Sequence, residues 1–234
     1  MFCHCEQSEA IPKFGSTNNV IVPTSKVEDP ARCGTATNAT APRNDIKCCM
    51  NIKKLSSESI HKNSHWEYRL DKFSLPNGKI IDYHYAETPG NVLIVPVLDD
   101  GRLVLVRQYR YLEEKTGIEF PGGGMGKDES PAGAAARELL EETGYTTENL
   151  IKVGAFEPCV GLVKDLSHVF IANELTEAQK PESHNAVEKT EVLARRVDEF
   201  ESMIKQGEIW NGQTLAVWAL VRDLLLKSDS SASL

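Results

Sequence analysis

The chain has 234 residues, a net charge of −8, 41% hydrophobic and 26% charged residues, the balance of a soluble globular protein long enough to bury a core. Its pI of about 5.3 argues against sequence-independent nucleic-acid binding, which needs a basic surface; an acidic chain that handles phosphates would recruit a cation to do so. No apolar run nears the ~20 residues of a membrane span, and MFCHCEQSEAIPKFG lacks a signal peptide's basic start and apolar stretch, so cytoplasm is the expected compartment, with neither membrane nor nucleic acid as a partner.

Residues 1–60 are rich in Ser, Thr, Asn, Lys and Pro and show no sustained period of strand or helix. Such a segment buries too little apolar surface to offset its ordering entropy, which predicts a disordered extension. Five of the six cysteines lie here: Cys3, Cys5, Cys33, Cys48 and Cys49. Their C-x-C and C-C spacings do not match a zinc knuckle, so they read as free thiols. Met50 opens MNIKKLSS and offers an alternative translation start.

Structure is expected from near His65, within a domain at 61–234. WEYRLDKFSL and KIIDYHYAE flank Pro76-Asn77-Gly78, and NVLIVPVL and RLVLVRQYRY flank Asp99-Asp100-Gly101; both pairs read as hairpins. A glycine-rich stretch follows, then a helix over roughly 131–143. LIKVGAFE, SHVFIANEL and TEVLARRV read as strands, 198–206 as a short helix closed by Gly207, and 212–227 as a final helix with Val217, Leu220, Val221 and Leu224 on one face. The fold class is therefore α/β: a mixed sheet with helices on its faces over about 89–227, preceded by a small antiparallel strand-rich piece at about 65–88.

The helix after the glycines carries the chemistry. Ser130 suits its N-cap, Pro131 its first position and Gly144 the residue past its end. Ala132, Ala135, Ala136, Leu139, Leu140 and Thr143 mark an inward face. Glu138, Glu141 and Glu142 crowd another face, near the negative end of the dipole. Like charges at these spacings repel by about 0.2–0.5 kcal/mol per pair. A solvated face could carry them, but a bound divalent cation removes the conflict, and Mg²⁺ takes carboxylate and phosphate oxygens together.

Gly123, Glu129, Arg137-Glu138-Leu139, Glu141-Glu142 and Gly144-Tyr145 resemble the Nudix box from end to end; the one departure is Tyr145, where the pattern takes a bulky aliphatic residue. The resemblance implies an α/β/α sandwich and hydrolysis of a nucleoside diphosphate linked to another moiety, with Mg²⁺ or Mn²⁺ as cofactor. It implies Glu138 and Glu142 as the principal metal ligands, Glu141 as a further ligand or an acid just behind the ligands, Glu141 and Glu142 as catalytic residues, and the Gly122 carbonyl as another oxygen donor. Arg137 would orient the carboxylates, Glu129 would brace the loop, and Gly123 and Gly144 would serve the motif's backbone.

The arrangement around the box is most similar to the ADP-ribose and nucleoside-diphosphate-sugar pyrophosphatases. Trp66–Tyr85 supplies strands ahead of it, Gln108-Tyr109-Arg110 closes a preceding strand, Glu119-Phe120-Pro121-Gly122-Gly123 leads in, and Gly207-Glu208-Ile209 precedes the final helix. Gln108, Arg110 and Glu119 are the candidate substrate contacts. Many ADP-ribose enzymes carry a proline beyond the box where this chain has Val160, with Pro158 slightly earlier; this departure weighs against ADP-ribose as the sole substrate. The family's loop glutamate, a candidate catalytic base, is best matched by Glu188, with Glu182 and Glu191 as competitors. His168 reads as a packed strand residue. The implied partners are a nucleotide-sugar substrate and a second copy in a homodimer. GDP-mannose or dinucleoside polyphosphates are alternative substrates within the family. A catalytically silent nucleotide-binding domain is an alternative of another class; such a domain is free to lose the glutamates that this chain retains.

Overall fold

The computed structural model describes residues 51–181 and 190–231, with side chains as far as 226. Strand β1 (Lys53–Lys62) pairs antiparallel with β2 (Glu67–Ser74), and β2 with β3 (Ile80–Glu87). Gly78 turns β2 into β3 at φ 79°, a left-handed conformation that costs glycine little. The sequence reading places the start of structure near His65 and assigns residues as far as 60 to an extension; β1 begins twelve residues earlier. The reason is physical. All ten residues of β1 are exposed, so no buried face imprints an alternation. Backbone pairing holds the strand, with the Lys54–Asp71 ion pair at 2.6 Å and an Arg69 hydrogen bond to Ser57 at 2.8 Å.

The core begins at β4 (Asn91–Pro96), whose residues alternate between two buried faces. Next come β5 (Leu103–Arg110), β6 (Lys115–Glu119), β7 (Gly122–Gly124) and helix α1 (Pro131–Thr143). The chain continues through β8 (Tyr145–Thr146), β9 (Asn149–Phe156), β10 (Val163–Lys164), β11 (Ser167–Asn173), β12 (Thr176–Glu177) and β13 (Glu191–Arg195), and ends in α2 (Val197–Gln206) and α3 (Gly212–Ser231). β11 lies parallel to β4 and antiparallel to β9, giving the order β7-β4-β11-β9; β13-β5-β6 forms a second ladder, and β10 joins β3 in parallel.

Val92 and Ile94 pack with Ala134, Ala135 and Leu139 of α1 and with Phe170 and Ala172 of β11. Their neighbours Leu93 and Val95 pack on the other face with Phe200, Met203, Val217, Trp218 and Val221 of α2 and α3. One strand thus feeds two cores by its period of two, and the result is the expected mixed sheet with helices on both faces. Each large aliphatic side chain buried this way contributes about 1.5–3 kcal/mol. Among the described residues no helix is long and apolar enough to cross a membrane.

Candidate active site

Helix α1 starts and stops where its caps dictate. Ser130 accepts a hydrogen bond from the Gly133 amide at 3.1 Å, Pro131 occupies the first turn, and Gly144 closes the helix at φ 77° with its amide 2.9 Å from the Leu140 carbonyl. Buried Ala134, Ala135 and Leu139 fix the helix against β4. That rotation turns Glu138, Glu141 and Glu142 toward β7 and a cavity of about 1020 Å³.

Arg137 organises the acidic cluster. Its guanidinium donates to Glu129 at 2.9 and 3.0 Å, to Glu138 at 2.7 Å, to Glu141 at 3.0 Å and to the Gly124 carbonyl at 3.0 Å. Glu129 also accepts from the Gly126 amide at 2.8 Å. The Arg137 bonds, then the Gly126 amide, hold the Glu129 carboxyl down at about 2. Glu138 and Glu142 shift the opposite way. Burial raises both above the ordinary carboxylate value, and Glu142 reaches about 7 with help from the charge of Glu138, despite a 2.8 Å bond from the Gly122 amide. The contact seen from Gly122 to this cluster is thus through its N–H.

The glycines are steric requirements here. A Cβ on Gly123 would overlap the Glu138 carboxylate, and one on Gly122 would overlap the Val92 carbonyl of the paired strand. At Gly122 the obstacle is backbone, at Gly123 it is the far end of a side chain, and at Gly124 there is open space.

Arg110, at the end of β5, lines the same cavity with Gln108. Glu119 is 3% exposed, and both its oxygens accept from Arg110, one at 2.9 Å from Nε. It is not among the residues that line the cavity, and it holds Arg110, which is. Glu191 is exposed at the start of β13 and pairs with Arg107 at 2.9 Å, and it too is absent from the cavity lining. Glu188 and Glu182 lie outside the described residues. His168 is partly buried on β11 with no partner for Nδ1 among the described residues, and burial lowers its pKa.

Sequence reasoning missed part of the cavity wall. Asp165 accepts from the Thr88 hydroxyl at 2.5 Å and from the Asn91 amide at 2.9 Å, tying the chain before β4 to the chain before β11. Ser64 and His65, from the β1–β2 turn, reach the same cavity. TPGN at 88–91 signals only a turn, and pairing between residues 74 and 77 positions apart leaves no local pattern to read.

The donor chemistry fits a hard divalent ion. Glu138, Glu141 and Glu142 line one cavity, and burial, which penalises the charged form, raises the pKa of Glu138 and Glu142. Among the described residues no three acidic, histidine or cysteine side chains form a ready-made cage; the Arg137 guanidinium neutralises Glu138 and Glu141 in this arrangement.

A family model described as NUDIX domain matches residues 87–217, more than half of the chain. The chain belongs to the NUDIX family. A protein described as ADP-ribose pyrophosphatase of Bacillus subtilis (strain 168) is 32% identical over 162 residues, spanning 69% of this chain and 88% of that protein. A Bacillus methanolicus protein described as methanol dehydrogenase activator is 28% identical over 163 residues, 70% of this chain and 88% of its own length. A crystal structure of an ADP compounds hydrolase superposes with a TM-score of 0.65 at 20% identity, covering 76% of this chain and 95% of that one; at that identity it speaks for the NUDIX fold alone. The chain is a NUDIX-type pyrophosphatase, a hydrolase.

Proposed function

We propose that the protein hydrolyses the diphosphate bond of ADP-ribose or a related nucleoside diphosphate sugar with Mg²⁺ as cofactor, with Mn²⁺ able to substitute, and releases a nucleoside monophosphate and a sugar phosphate. The observation that carries this reading is the cavity itself. Glu138, Glu141 and Glu142, Arg110 and Gln108, and the glycines 122–124 all line it. Its volume of about 1020 Å³ suits a ligand with two sugar-bearing halves, at the top of the ~300–1,000 Å³ common for small-molecule sites. The name of the Bacillus subtilis relative supports ADP-ribose.

Glu138, Glu142 and Glu141 would hold the cation. When bound, the ion supplies charge neutralisation of the diphosphate and a lowered pKa for an attacking water. Arg110, held by Glu119, binds a phosphate oxygen. Arg137 keeps Glu138 and Glu141 in place. Glu141, its side chain 45% exposed, takes the proton of the water that attacks phosphorus; the P–O anhydride bond breaks and the other phosphate leaves. Glu188 is the alternative base. The active form is a homodimer built on the N-terminal strands, whose exposed β1 leaves an open edge.

Chromatographic product analysis with purified protein and Mg²⁺, across ADP-ribose, ADP-glucose, GDP-mannose, diadenosine polyphosphates and deoxynucleoside triphosphates, tests this. AMP and ribose 5-phosphate should form fastest. Faster cleavage of a triphosphate or a dinucleotide would overturn the substrate class, and no cleavage at all would favour a silent nucleotide binder.

A further inference from the structure

Glu142 sits in the last turn of α1, where the helix dipole is negative and where the helix has no basic residue of its own. The free carbonyls of such a turn need donors from elsewhere. Gly144 serves Leu140, and the Thr143 hydroxyl serves Leu139. The Glu142 carbonyl takes two donors from a distant part of the chain: Lys180 Nζ at 2.8 Å and Thr190 Oγ1 at 2.9 Å. Lys180 Nζ also donates to Thr190 Oγ1 at 2.7 Å, which closes a triangle of three bonds. β12 brings Lys180 there by pairing with β8, and the Ala178 amide bonds the Gly144 carbonyl at 2.8 Å. Lys180 is part-buried, an expensive placement for a lysine with only a surface role.

We propose that Lys180 and Thr190 are positioning residues that clamp the Glu142 backbone and so hold its carboxylate at the Gly122 amide, facing the cavity. The inference rests on the reading of Glu142 as a metal ligand. A clamp and a bare charge have opposite signatures. A nearby ammonium repels a divalent ion, so if Lys180 acted by charge alone its removal would tighten cation binding. A clamp preorganises the ligand, so its loss weakens binding.

The test is a Mn²⁺ titration of the full chain followed by electron paramagnetic resonance, on wild type, Glu142→Gln, Lys180→Met and Thr190→Val. Glu142→Gln should weaken Mn²⁺ binding most. Lys180→Met and Thr190→Val should each weaken it by roughly tenfold, with kcat recovering at saturating Mn²⁺, a rescue that general loss of folded protein would not give. If Glu142→Gln binds Mn²⁺ as wild type does, the ligand reading fails and the inference with it. If Glu142→Gln loses binding while Lys180→Met binds as tightly as wild type or tighter, and Thr190→Val is unchanged, the ligand reading stands and the clamp is overturned. Should Lys180→Met not fold, Thr190→Val decides by the same criterion.

Discussion

A carboxylate with only 3% of its surface exposed needs a partner, and Glu119 has one in Arg110. Removing one member of such a pair strands the other, at a cost of about 3–5 kcal/mol for a fully buried pair; Arg110 is partly exposed, so solvent screening brings the cost to the bottom of that range or below it. Arg110→Ala should therefore cost stability, on the order of 2–3 kcal/mol by urea denaturation, as well as substrate affinity. An unchanged denaturation midpoint would mean that Glu119 does not depend on Arg110. Glu142 makes a pH-dependent prediction. Burial lifts it from 4.5 to about 7, so the folded chain keeps a proton that the unfolded chain releases. Its contribution to stability is full below about 4.5 and is lost as the pH rises toward about 7. Burial shifts Glu138 in the same direction. Glu129 works in reverse and lower down: its contribution is present above 4.5 and fades as the pH falls toward about 2. In EDTA, wild-type Tm should fall across the upper window and Glu142→Gln should flatten the fall, while saturating Mg²⁺ restores Tm at neutral pH. Equal slopes for the two proteins would refute the assignment. The same variant should lose at least about a hundredfold in turnover, since even outer-shell partners of a metal are worth ~10–100-fold.

At the scale of elements, the contact between α1 and β7 decides whether a site exists. Gly123 leaves no room for a side chain beside Glu138. Gly123→Ala should spare the fold, because the far end of a glutamate can swing aside, yet displace Glu138 and remove most of the activity. Wild-type turnover with an unchanged circular dichroism spectrum would show that the close approach is dispensable. Legibility in the sequence followed from what each element leaves behind. α1 could be bounded at Pro131 and Thr143 because its signals are local: a serine cap, a proline and a C-terminal glycine. The mixed sheet with helices was readable from the alternation along NVLIVP and from SHVFIAN. β6 and β7 were not: KTGIE has little alternation, and three glycines have no side chains to alternate. The roles of Lys180 and Asp165 depend on contacts with segments distant in sequence, which no local window contains.

The whole molecule carries an open problem at one edge. Among the described residues, in the order β1-β2-β3-β10, strand β1 has a neighbour on one side only. All ten of its residues are exposed, among them Leu55 and Ile60 at 48% and 46%, with Trp66 close by at 42%. A long exposed edge with apolar side chains is a template for pairing unless something covers it. Charge does guard it in part: Lys53, Lys54, Glu58 and Lys62 lie along the strand. The apolar positions between them fit a second copy better than open water. Light scattering at micromolar concentration should therefore give about twice the 25.9 kDa of one chain. Leu55→Glu with Ile60→Glu should shift the mass toward one chain. Surface substitutions usually change folding stability by less than about 0.5 kcal/mol, so Tm extrapolated to low protein concentration should hold. The cavity borders the β1–β2 turn through Ser64 and His65, so the monomeric variant should also bind substrate less well, with KM raised more than kcat is lowered. A wild-type mass of one chain, or a double variant that still runs as a dimer, would remove β1 from the interface and leave the cavity complete within a single chain.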